Sequence, residues 1–310
     1  MAIIDIEGAP HVYELTAPTH SSSPVLVFIH GWLLSRSYWQ PLIERLAPNY
    51  QCLIYDLRGF GDSQPKRGKV SRKGSNLNAE VPDEFEAVNR SPASYTLAAY
   101  AKDLGILLDK LGIEQAWLIG HSLGGSIALW GAFLLPDRVK GVICLNAGGG
   151  IYLKEEFERF RAVGQRLVER RPRWLLYVPL IELLFMRAQV ARPIARRWAR
   201  QRIIDFIVAH PEAALQALLD STTEAEVHRL PQIVSKLVQP VYFIAGTKDT
   251  VMEPKYVRHL ASFHNLFGEC GDNVIEISGC GHIAMVEQPD AIANEIHKIL
   301  AEREGIDTIR

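Results

Sequence analysis

Three side chains of this sequence could together form a nucleophilic site: Ser122, Asp249 and His282. A serine hydroxyl is a weak nucleophile until a base accepts its proton, and that base needs an acid to hold it in the correct tautomer. Asp249 and His282 each lie in a loop that directly follows a short apolar run. The residue types and their order along the chain therefore predict a Ser–Asp–His triad.

Ser122 lies in the pentapeptide Gly-His-Ser-Leu-Gly, after the apolar run 116–119 and before residues 126–133, which favour a helix. A sharp turn from strand to helix would strain the serine backbone and bring neighbouring side chains into collision, which explains glycine at 120 and 124. Glycine and serine are common in ordinary turns, so the pentapeptide alone is ambiguous. The flanking strand and helix favour a nucleophile elbow.

An oxyanion hole is the remaining requirement of such a site. Gly31 follows the apolar run 25–29 and permits a backbone turn that could aim the amide of Trp32 inward. The amide of Leu123, at the start of the helix, would be the second donor and would gain from the helix dipole. One such donor typically lowers the barrier by about 3–4 kcal/mol.

The elements that must position these residues follow an alternating pattern. Amphipathic segments separate near-continuous apolar runs, which is typical of parallel strands buried on both faces. We therefore predict a doubly wound α/β sheet, a mostly parallel twisted sheet with helices on both faces. The expected strands are residues 25–29, 52–55, 116–119, 141–145, 241–245 and 274–277, after an N-terminal hairpin at 3–15, and the expected helices are 38–46, 95–111, 122–134, 255–263 and 290–303.

Two segments interrupt the alternation. Residues 64–94 are polar and predict a long surface loop. Residues 151–230 contain no strand candidate and predict consecutive helices, punctuated by prolines, that cap the sheet. The expected organisation is a core of residues 1–150 and 231–310 with a helical cap at 151–230.

Composition narrows the function classes. The 310 residues are 48% hydrophobic and 22% charged, with a net charge of −1, which is typical of a globular protein with no bias toward nucleic acid. The four cysteines have no CxxC spacing, and Cys270 and Cys280 flank a strand too extended for a disulfide. No metal or organic cofactor is expected, and the N-terminus lacks signal-peptide features, which predicts a cytoplasmic protein.

With these motifs, the chain resembles the α/β-hydrolase family over nearly its full length. Residues 56–63, 95–104 and 281–289 are similar to that family's loop after the second parallel strand, the helix entering the elbow unit and the catalytic-histidine loop. The spacing of Ser and Trp in residues 30–39 resembles the capped subgroup of epoxide hydrolases, haloalkane dehalogenases and cofactor-free haloperoxidases. The resemblance implies the α/β-hydrolase fold and a cap over the active site.

The nucleophile separates this chain from part of that subgroup. Epoxide hydrolases and dehalogenases use an aspartate, whose ester intermediate water can cleave, whereas Ser122 would leave an unreactive ether. We therefore expect hydrolysis of a carboxylic ester with an apolar acyl or alcohol part, through an acyl-enzyme. Acyl transfer or perhydrolysis on the same triad, carbon–carbon bond hydrolysis, and a non-catalytic ligand-binding or accessory role are alternatives. Carbon–carbon hydrolysis is disfavoured because the Gly-Pro-Gly oxyanion loop of such enzymes is absent after Gly31.

The remaining expectations concern residues around the triad. His30 and His121 favour structural roles, as do Asp56, Arg58 and Asp62. The substrate pocket is expected to include Trp32, Leu33, Trp174 and Phe185. The cap is basic, with 13 Lys or Arg and five Glu between residues 154 and 202. The simpler interpretation is a lid with solvated arginines, and the alternative is peripheral contact with an anionic membrane.

Overall fold

An eight-stranded sheet carries the site. The computed structural model describes residues 1–19, 23–65, 94–148, 154–178, 181–187, 189–269 and 271–307. In these residues the strands are β1 Ala2–Ile6, β2 Ala9–Leu15, β3 Val25–Ile29, β4 Cys52–Tyr55, β5 Ala116–His121, β6 Val139–Leu145, β7 Val241–Gly246 and β8 Val274–Ile277. Their order across the sheet is β1-β2-β4-β3-β5-β6-β7-β8.

The N-terminal hairpin forms as predicted and joins the edge of the sheet. β1 and β2 pair antiparallel around a two-residue turn at Glu7-Gly8, where both residues have positive φ. Such a turn matches the twist of the flanking strands. β2 is antiparallel to β4, and all further pairs from β4 to β8 are parallel.

The apolar runs at 25–29, 52–55, 116–119, 141–145 and 241–245 are the largely buried strands β3 to β7, whereas 274–277 is the half-exposed edge strand β8. Helices cover both faces of the sheet. The helices are α1 Gln40–Leu46, α2 Leu97–Leu111, α3 Leu123–Leu134, α4 Lys154–Glu169, α5 Ile181–Arg187, α6 Arg196–Val208, α7 Pro211–Ser221, α8 Glu224–Lys236, α9 Pro254–Ala261, α10 Ala284–Glu287 and α11 Pro289–Asp307. Short 3₁₀ helices span Arg36–Trp39, Arg173–Tyr177 and Asn265–Phe267.

Alternate residues of one strand enter two different cores. Val27 and Ile29 of β3 belong to one apolar cluster, together with residues of α2, α3, α8 and α9, whereas Leu26 and Phe28 belong to a second cluster with residues of α1 and α11. Successive side chains of a strand point to opposite faces, so an unbroken apolar run is needed where both faces are covered. The α/β fold predicted from the runs is confirmed.

Between β6 and β7 the described residues form helices joined by short connections, without a strand. α8 differs from the other helices of this segment because it packs against α3 in the main core, where Trp130 Nε1–H donates to Glu226 Oε1. The predicted core–cap boundary at residue 230 therefore falls inside a helix of the core layer. We define the cap as residues 154–221, α4 to α7. Most of the predicted loop 64–94, residues 66–93, lies outside the described residues.

Two helical glycines, Gly105 and Gly124, predict opposite responses to the same substitution. A Cβ at Gly105 in α2 would meet only Leu135 at ordinary contact distance, 3.4 Å. A Cβ at Gly124 in α3 would collide with the carbonyl of Ile29 and lie 2.6 Å from that of His30. Helix propensity alone would make alanine favourable at both positions.

We expect Gly105→Ala to stabilise the protein by about 0.5–1 kcal/mol, because alanine loses less backbone entropy in a helix. Gly124→Ala should destabilise it by several times that amount, because backbone atoms must move apart. Thermal unfolding followed by circular dichroism measures both. Equal melting temperatures for the two variants would contradict the close approach at Gly124.

Candidate active site

Ser122 occupies a strained turn between β5 and α3. Its φ of 52° and ψ of −120° lie outside the regions that L-residues favour. The turn is held because the Ser122 N–H donates to Leu145 O of the neighbouring strand at 3.0 Å. Strain of this kind costs about 1–3 kcal/mol and persists where the surroundings over-determine it. The sequence prediction of a sharp turn at this serine agrees with the backbone.

Asp249 and His282 meet at the ends of β7 and β8. His282 Nδ1–H donates to Asp249 Oδ2 at 2.8 Å. The other carboxylate oxygen, Oδ1, accepts the backbone N–H groups of Val251 and Met252 at 2.8 and 2.9 Å. These bonds fix the carboxylate, and its bond to Nδ1 leaves Nε2 of His282 as the proton-accepting nitrogen. Both side chains are buried.

The backbone of His282 is held from both sides. Its carbonyl accepts His121 Nε2–H and Asn146 Nδ2–H, each at 2.8 Å. Its N–H donates to the Gln189 carbonyl at 2.8 Å, from the segment between α5 and α6. Burial, and then the nearby His282, hold the pKa of His121 well below its usual value, so His121 is a neutral donor.

His30 fixes the loop that follows β3. Its Nδ1–H donates to Gly31 O at 2.8 Å, and its Nε2 accepts the Leu57 N–H at 3.0 Å. Gly31 O also accepts the Leu34 N–H at 3.2 Å. Gly31 O and the Trp32 N–H belong to one trans peptide, in which the carbonyl and the N–H point in opposite directions. These bonds to Gly31 O therefore direct the Trp32 N–H away from His30 and Leu34. Burial lowers the pKa of His30, which keeps it neutral in this role.

The two predicted oxyanion donors flank Ser122. A Cβ at Gly31 would lie 3.2 Å from Ser122 Cβ, so the Gly31–Trp32 backbone lies directly against the serine. Leu123 is the first residue of α3, where backbone N–H groups have no partner within the helix. The side chain of Trp32 anchors this loop to the cap, because its Nε1–H donates to Ala214 O of α7 at 2.8 Å.

A cavity of about 440 Å³ opens between the sheet edge and the cap. Ser122 and His282 lie in its wall, so the structure brings both to the same space. Most of the remaining wall is apolar, and α4 to α7 contribute about half of it. The apolar lining residues are Trp32, Leu34, Leu123, Val163, Leu167, Leu184, Phe185, Leu218, Val251, Met252 and Ile283.

Of the four predicted pocket residues, Trp32 and Phe185 line this cavity. Leu33 does not, because its φ of 56° turns it into the core, where it is fully buried, and Leu34 reaches the cavity instead. Trp174 is 61% exposed, in the 3₁₀ helix of the cap, and is not a lining residue. Which of two neighbouring leucines faces the cavity, and how a cap helix packs, depend on the tertiary structure. The spacing of residues in the sequence does not encode either.

Asn146 and Arg202 are site residues that the sequence did not suggest. Asn146 follows β6 with a φ of 49° and donates to Gly281 O and His282 O, while its Oδ1 accepts the Gly246 N–H. The sequence did contain a feature that points to Asn146: asparagine tolerates positive φ, and this one directly follows a parallel strand, at the edge of the sheet where ligands bind. Arg202 lines the cavity from α6.

The residues with expected structural roles have structural contacts. Asp56 Oδ1 accepts the Arg36 N–H at 2.7 Å and Oδ2 accepts the Asp62 N–H at 2.8 Å. Arg58 forms an ion pair with Asp103 at 3.2 Å, away from the cavity. Cys52, Cys144 and Cys280 are buried free thiols, and Cys270 lies outside the described residues. Among the described side chains, no cluster of metal-ligating residues is found.

A family model described as the alpha/beta hydrolase fold matches residues 24–289. The chain belongs to the α/β-hydrolase family. The resemblance inferred from the sequence is thereby confirmed. Within this family, an uncharacterized protein of Mycobacterium tuberculosis is 26% identical over 308 residues, covering 94% of this chain and 79% of the relative.

One further relative and one solved structure are similar to this chain over nearly their full length. A pimeloyl-[acyl-carrier protein] methyl ester esterase of Xanthomonas campestris pv. campestris is 26% identical over 284 residues, covering 90% of this hydrolase and 95% of the relative. A solved thermophilic esterase from Thermogutta terrifontis superposes with a TM-score of 0.71 at 21% identity, covering 95% and 94% of the two chains. The similarity to this solved structure shows that the two chains share a fold.

The two hydrogen bonds from Asn146 to Gly281 O and His282 O, here called the His282 clamp, can be tested by substitution. In Asn146→Asp, a carboxylate of nearly the same shape cannot donate to Gly281 O and His282 O, and it faces both carbonyl oxygens. We expect a loss of about 2–4 kcal/mol in the free energy of unfolding, because Gly281 O loses its donor, His282 O keeps only that of His121, and a carboxylate is buried against both oxygens. Denaturant unfolding monitored by fluorescence measures this loss. Asn49→Asp, at an exposed position, is the matched control, and equal effects of the two changes would refute the clamp.

Proposed function

We propose that this member of the α/β-hydrolase family is a serine esterase that cleaves carboxylic esters with an apolar acyl or alcohol part. The observation that carries the proposal is His282, hydrogen-bonded to Asp249 at 2.8 Å, in one cavity wall with a serine on a strained elbow. The esterase relatives described above are consistent with it. The apolar wall of the cavity supports an apolar substrate.

In the proposed mechanism, His282 Nε2 accepts the hydroxyl proton as Ser122 Oγ attacks the ester carbonyl. Asp249 keeps the imidazole in the required tautomer and stabilises its cation. The amides of Trp32 and Leu123 donate to the oxyanion. His282 returns its proton to the leaving alcohol, then activates a water that hydrolyses the acyl-enzyme. His282 carries the proton in each of these steps, and the proposed mechanism uses no cofactor.

The mechanism predicts that Ser122→Ala lowers kcat on p-nitrophenyl esters by about 10⁵-fold or more, as for other serine nucleophiles. Its thermal unfolding should match that of the wild type or improve, because alanine removes no described hydrogen bond of the hydroxyl. Ser235→Ala, at an exposed position in α8, is the control. Turnover by Ser122→Ala at the wild-type rate would defeat the assignment.

A fluorophosphonate probe separates catalysis from a non-catalytic role. The wild type should be labelled covalently, with the adduct on Ser122 by mass spectrometry, and Ser122→Ala should not. Asp249→Asn should retain the fold and lower kcat by roughly 10⁴-fold, because the amide favours the wrong imidazole tautomer. An unlabelled wild-type protein would instead support the ligand-binding alternative.

We further propose that the cap contacts an anionic membrane surface at the mouth of the cavity. Leu184 and Val163 line the cavity and are also 68% and 56% exposed, so the mouth itself is apolar. Trp174 and Tyr177 are exposed on the same cap. Aromatic side chains with a polar tip suit the membrane interface, and the exposed arginines of the cap would attract anionic headgroups.

This contact would be peripheral. Among the residues of the described ranges, no helix has the length and apolar character needed to cross a bilayer. Arg166, Arg170 and Arg187 are exposed cations of the cap close in sequence to these apolar residues. A lipid surface there would present lipophilic esters directly to the cavity mouth.

Vesicle sedimentation tests the membrane proposal. We expect binding to vesicles rich in phosphatidylglycerol and weaker binding to phosphatidylcholine vesicles, with the difference lost at high salt. The double variant Trp174→Ser/Tyr177→Ser should bind several-fold less. Val238→Ser removes an exposed apolar side chain outside the cap and should bind as the wild type. Absence of salt-sensitive binding to anionic vesicles would show that the cap is only a solvated lid.

A further inference from the structure

The cavity wall contains a cation that an apolar ester does not use, the side chain of Arg202. It lies on α6 of the cap, is 4% exposed, and forms part of the cavity wall with Ser122 and His282. Arginine side chains are seldom buried to this extent unless they are paired. The cap has many exposed arginines, so the basic composition of this segment does not by itself place a guanidinium inside.

Two hydrogen bonds orient the guanidinium without neutralising it. Its Nη1 donates to Leu33 O at 2.7 Å and its Nε donates to Gln189 Oε1 at 3.1 Å. Both acceptors are uncharged. They use one hydrogen on each of these nitrogens, which leaves the second hydrogen of Nη1 and both hydrogens of Nη2. Within the described parts of the chain, no hydrogen bond involves Nη2.

No carboxylate of the described residues forms an ion pair with Arg202. Asp205, one turn further along α6, directs its two oxygens elsewhere: Oδ2 accepts Ser35 Oγ–H at 3.0 Å and Oδ1 accepts Gln201 Nε2–H at 2.9 Å. Burial raises the pKa of Asp205 to about 7, so near neutral pH this carboxyl only partly offsets the positive charge. The face of the Phe185 ring, 5.6 Å from Cζ, adds a cation–π contact.

A buried cation that forms no ion pair is costly, because protein surroundings solvate it less well than water does. Burial accordingly lowers the pKa of Arg202. The two neutral acceptors hold the guanidinium in one orientation at the cavity wall. An anion bound there would compensate for the solvation that the buried cation has lost. The planar guanidinium matches a carboxylate in charge and in geometry.

We propose that Arg202 binds a free carboxylate of the substrate, so that the enzyme acts on apolar esters that carry a second, ionised carboxyl group. Half-esters of alkanedicarboxylic acids are the simplest members of this class. The carboxylate accepts hydrogen bonds from Nη1 and Nη2 of Arg202, the apolar chain lies along the leucine and phenylalanine side chains of the cap, and the ester carbonyl reaches Ser122. This inference rests on the proposed esterase function. Arg202 is thus a specificity residue.

The basic cap supports the same class of substrate. An excess of positive charge around the mouth of a cavity raises the local concentration of anions and speeds their association. The cap as defined above, residues 154–221, has 13 basic and eight acidic residues, an excess of five positive charges. The rest of the chain is correspondingly acidic, because the net charge of the whole protein is −1.

Substrate pairs of matched length test the proposal. Monomethyl esters of alkanedicarboxylic acids are compared with methyl alkanoates of the same chain length, over a series of lengths. We expect the wild type to favour the half-esters by at least about tenfold in kcat/KM at the optimal length. The preference should appear in KM, because the carboxylate is bound equally in the ground and transition states.

Variants at Arg202 assign the preference to its guanidinium. Arg202→Met should lower the ratio of kcat/KM for half-ester over neutral ester by about 10- to 100-fold, the range for losing a hydrogen bond to a charged group. Arg202→Lys, which keeps the charge without the planar fork, should give an intermediate ratio. Arg200→Met, at an exposed position of the same helix, should leave the ratio unchanged.

Two results would overturn the proposal while leaving the esterase function intact. One is a wild type that shows no preference for the half-esters at any length. The other is a fall in both activities by the same factor in Arg202→Met, which would make the residue only a structural contact between cap and core. If Arg202→Met fails to fold, Arg202→Lys carries the comparison, and a ratio equal to that of the wild type would refute the assignment.

A binding measurement keeps the proposal separate from the esterase function. Alkanoate salts and alkanols of equal length are titrated calorimetrically into the Ser122→Ala protein, which retains Arg202. We expect the alkanoate to bind at least about tenfold more tightly, with the advantage reduced in Ser122→Ala/Arg202→Lys. Equal affinities for acid and alcohol would refute the anion site, even if esters are hydrolysed. Absence of turnover and of fluorophosphonate labelling would refute the esterase alone.

Discussion

No side chain fits between the start of α3 and the end of β3, and the geometry of the whole site depends on this close approach. Gly124 faces the carbonyls of Ile29 and His30, and Gly31 lies against His121 and Ser122. The elbow and the loop after β3 therefore touch through their backbones. Because backbone atoms have no alternative rotamers, the position of Ser122 relative to the Trp32 amide is fixed by the sheet itself.

The second constraint acts on His282, and it joins the cap to the core. The His282 N–H donates to Gln189 O from the cap, and its carbonyl accepts from His121 and Asn146 of the core. Glu287 extends this connection, since its two oxygens accept the N–H groups of Gly281 and Ala191. The cap thus takes part in orienting the proposed base, and a change in cap packing would alter the base as well as the pocket.

Neutral histidines make this arrangement compatible with a charge on His282. The rings of His121 and His282 lie 4.8 Å apart. Since burial and the neighbouring imidazole hold the pKa of His121 well below its usual value, His121 donates a hydrogen bond without carrying a positive charge. The cation proposed to form on His282 during turnover then has Asp249 as its partner and no second imidazolium beside it. His30 has the same neutral state in the loop after β3.

The sequence predicted local structure well where a single element decides it. Unbroken apolar runs predicted the inner strands because both faces of these strands are covered, and the hairpin was predicted at 3–15. Of its two turn residues only Gly8 suits the positive φ that both adopt; Glu7 takes a φ of 49°. The helix predicted at 38–46 begins instead with a 3₁₀ turn at Arg36–Trp39, since helix ends depend on neighbouring contacts. The boundary of the cap was misplaced because α8 packs on α3, and packing partners are not encoded in the periodicity of a helix.

By itself, the sequence determined the fold and the most reactive residue types: a serine between two glycines, then an aspartate and a histidine, each in a loop after a strand. Their chemistry follows from residue type and from the rule that parallel strands end at one edge of the sheet. Only the tertiary structure decided that Leu34 rather than Leu33 faces the cavity, that Asn146 holds the His282 loop, and that Arg202 is buried there. Those choices arise between elements more than 30 residues apart in the chain, where side-chain direction and burial, rather than local spacing, place a residue.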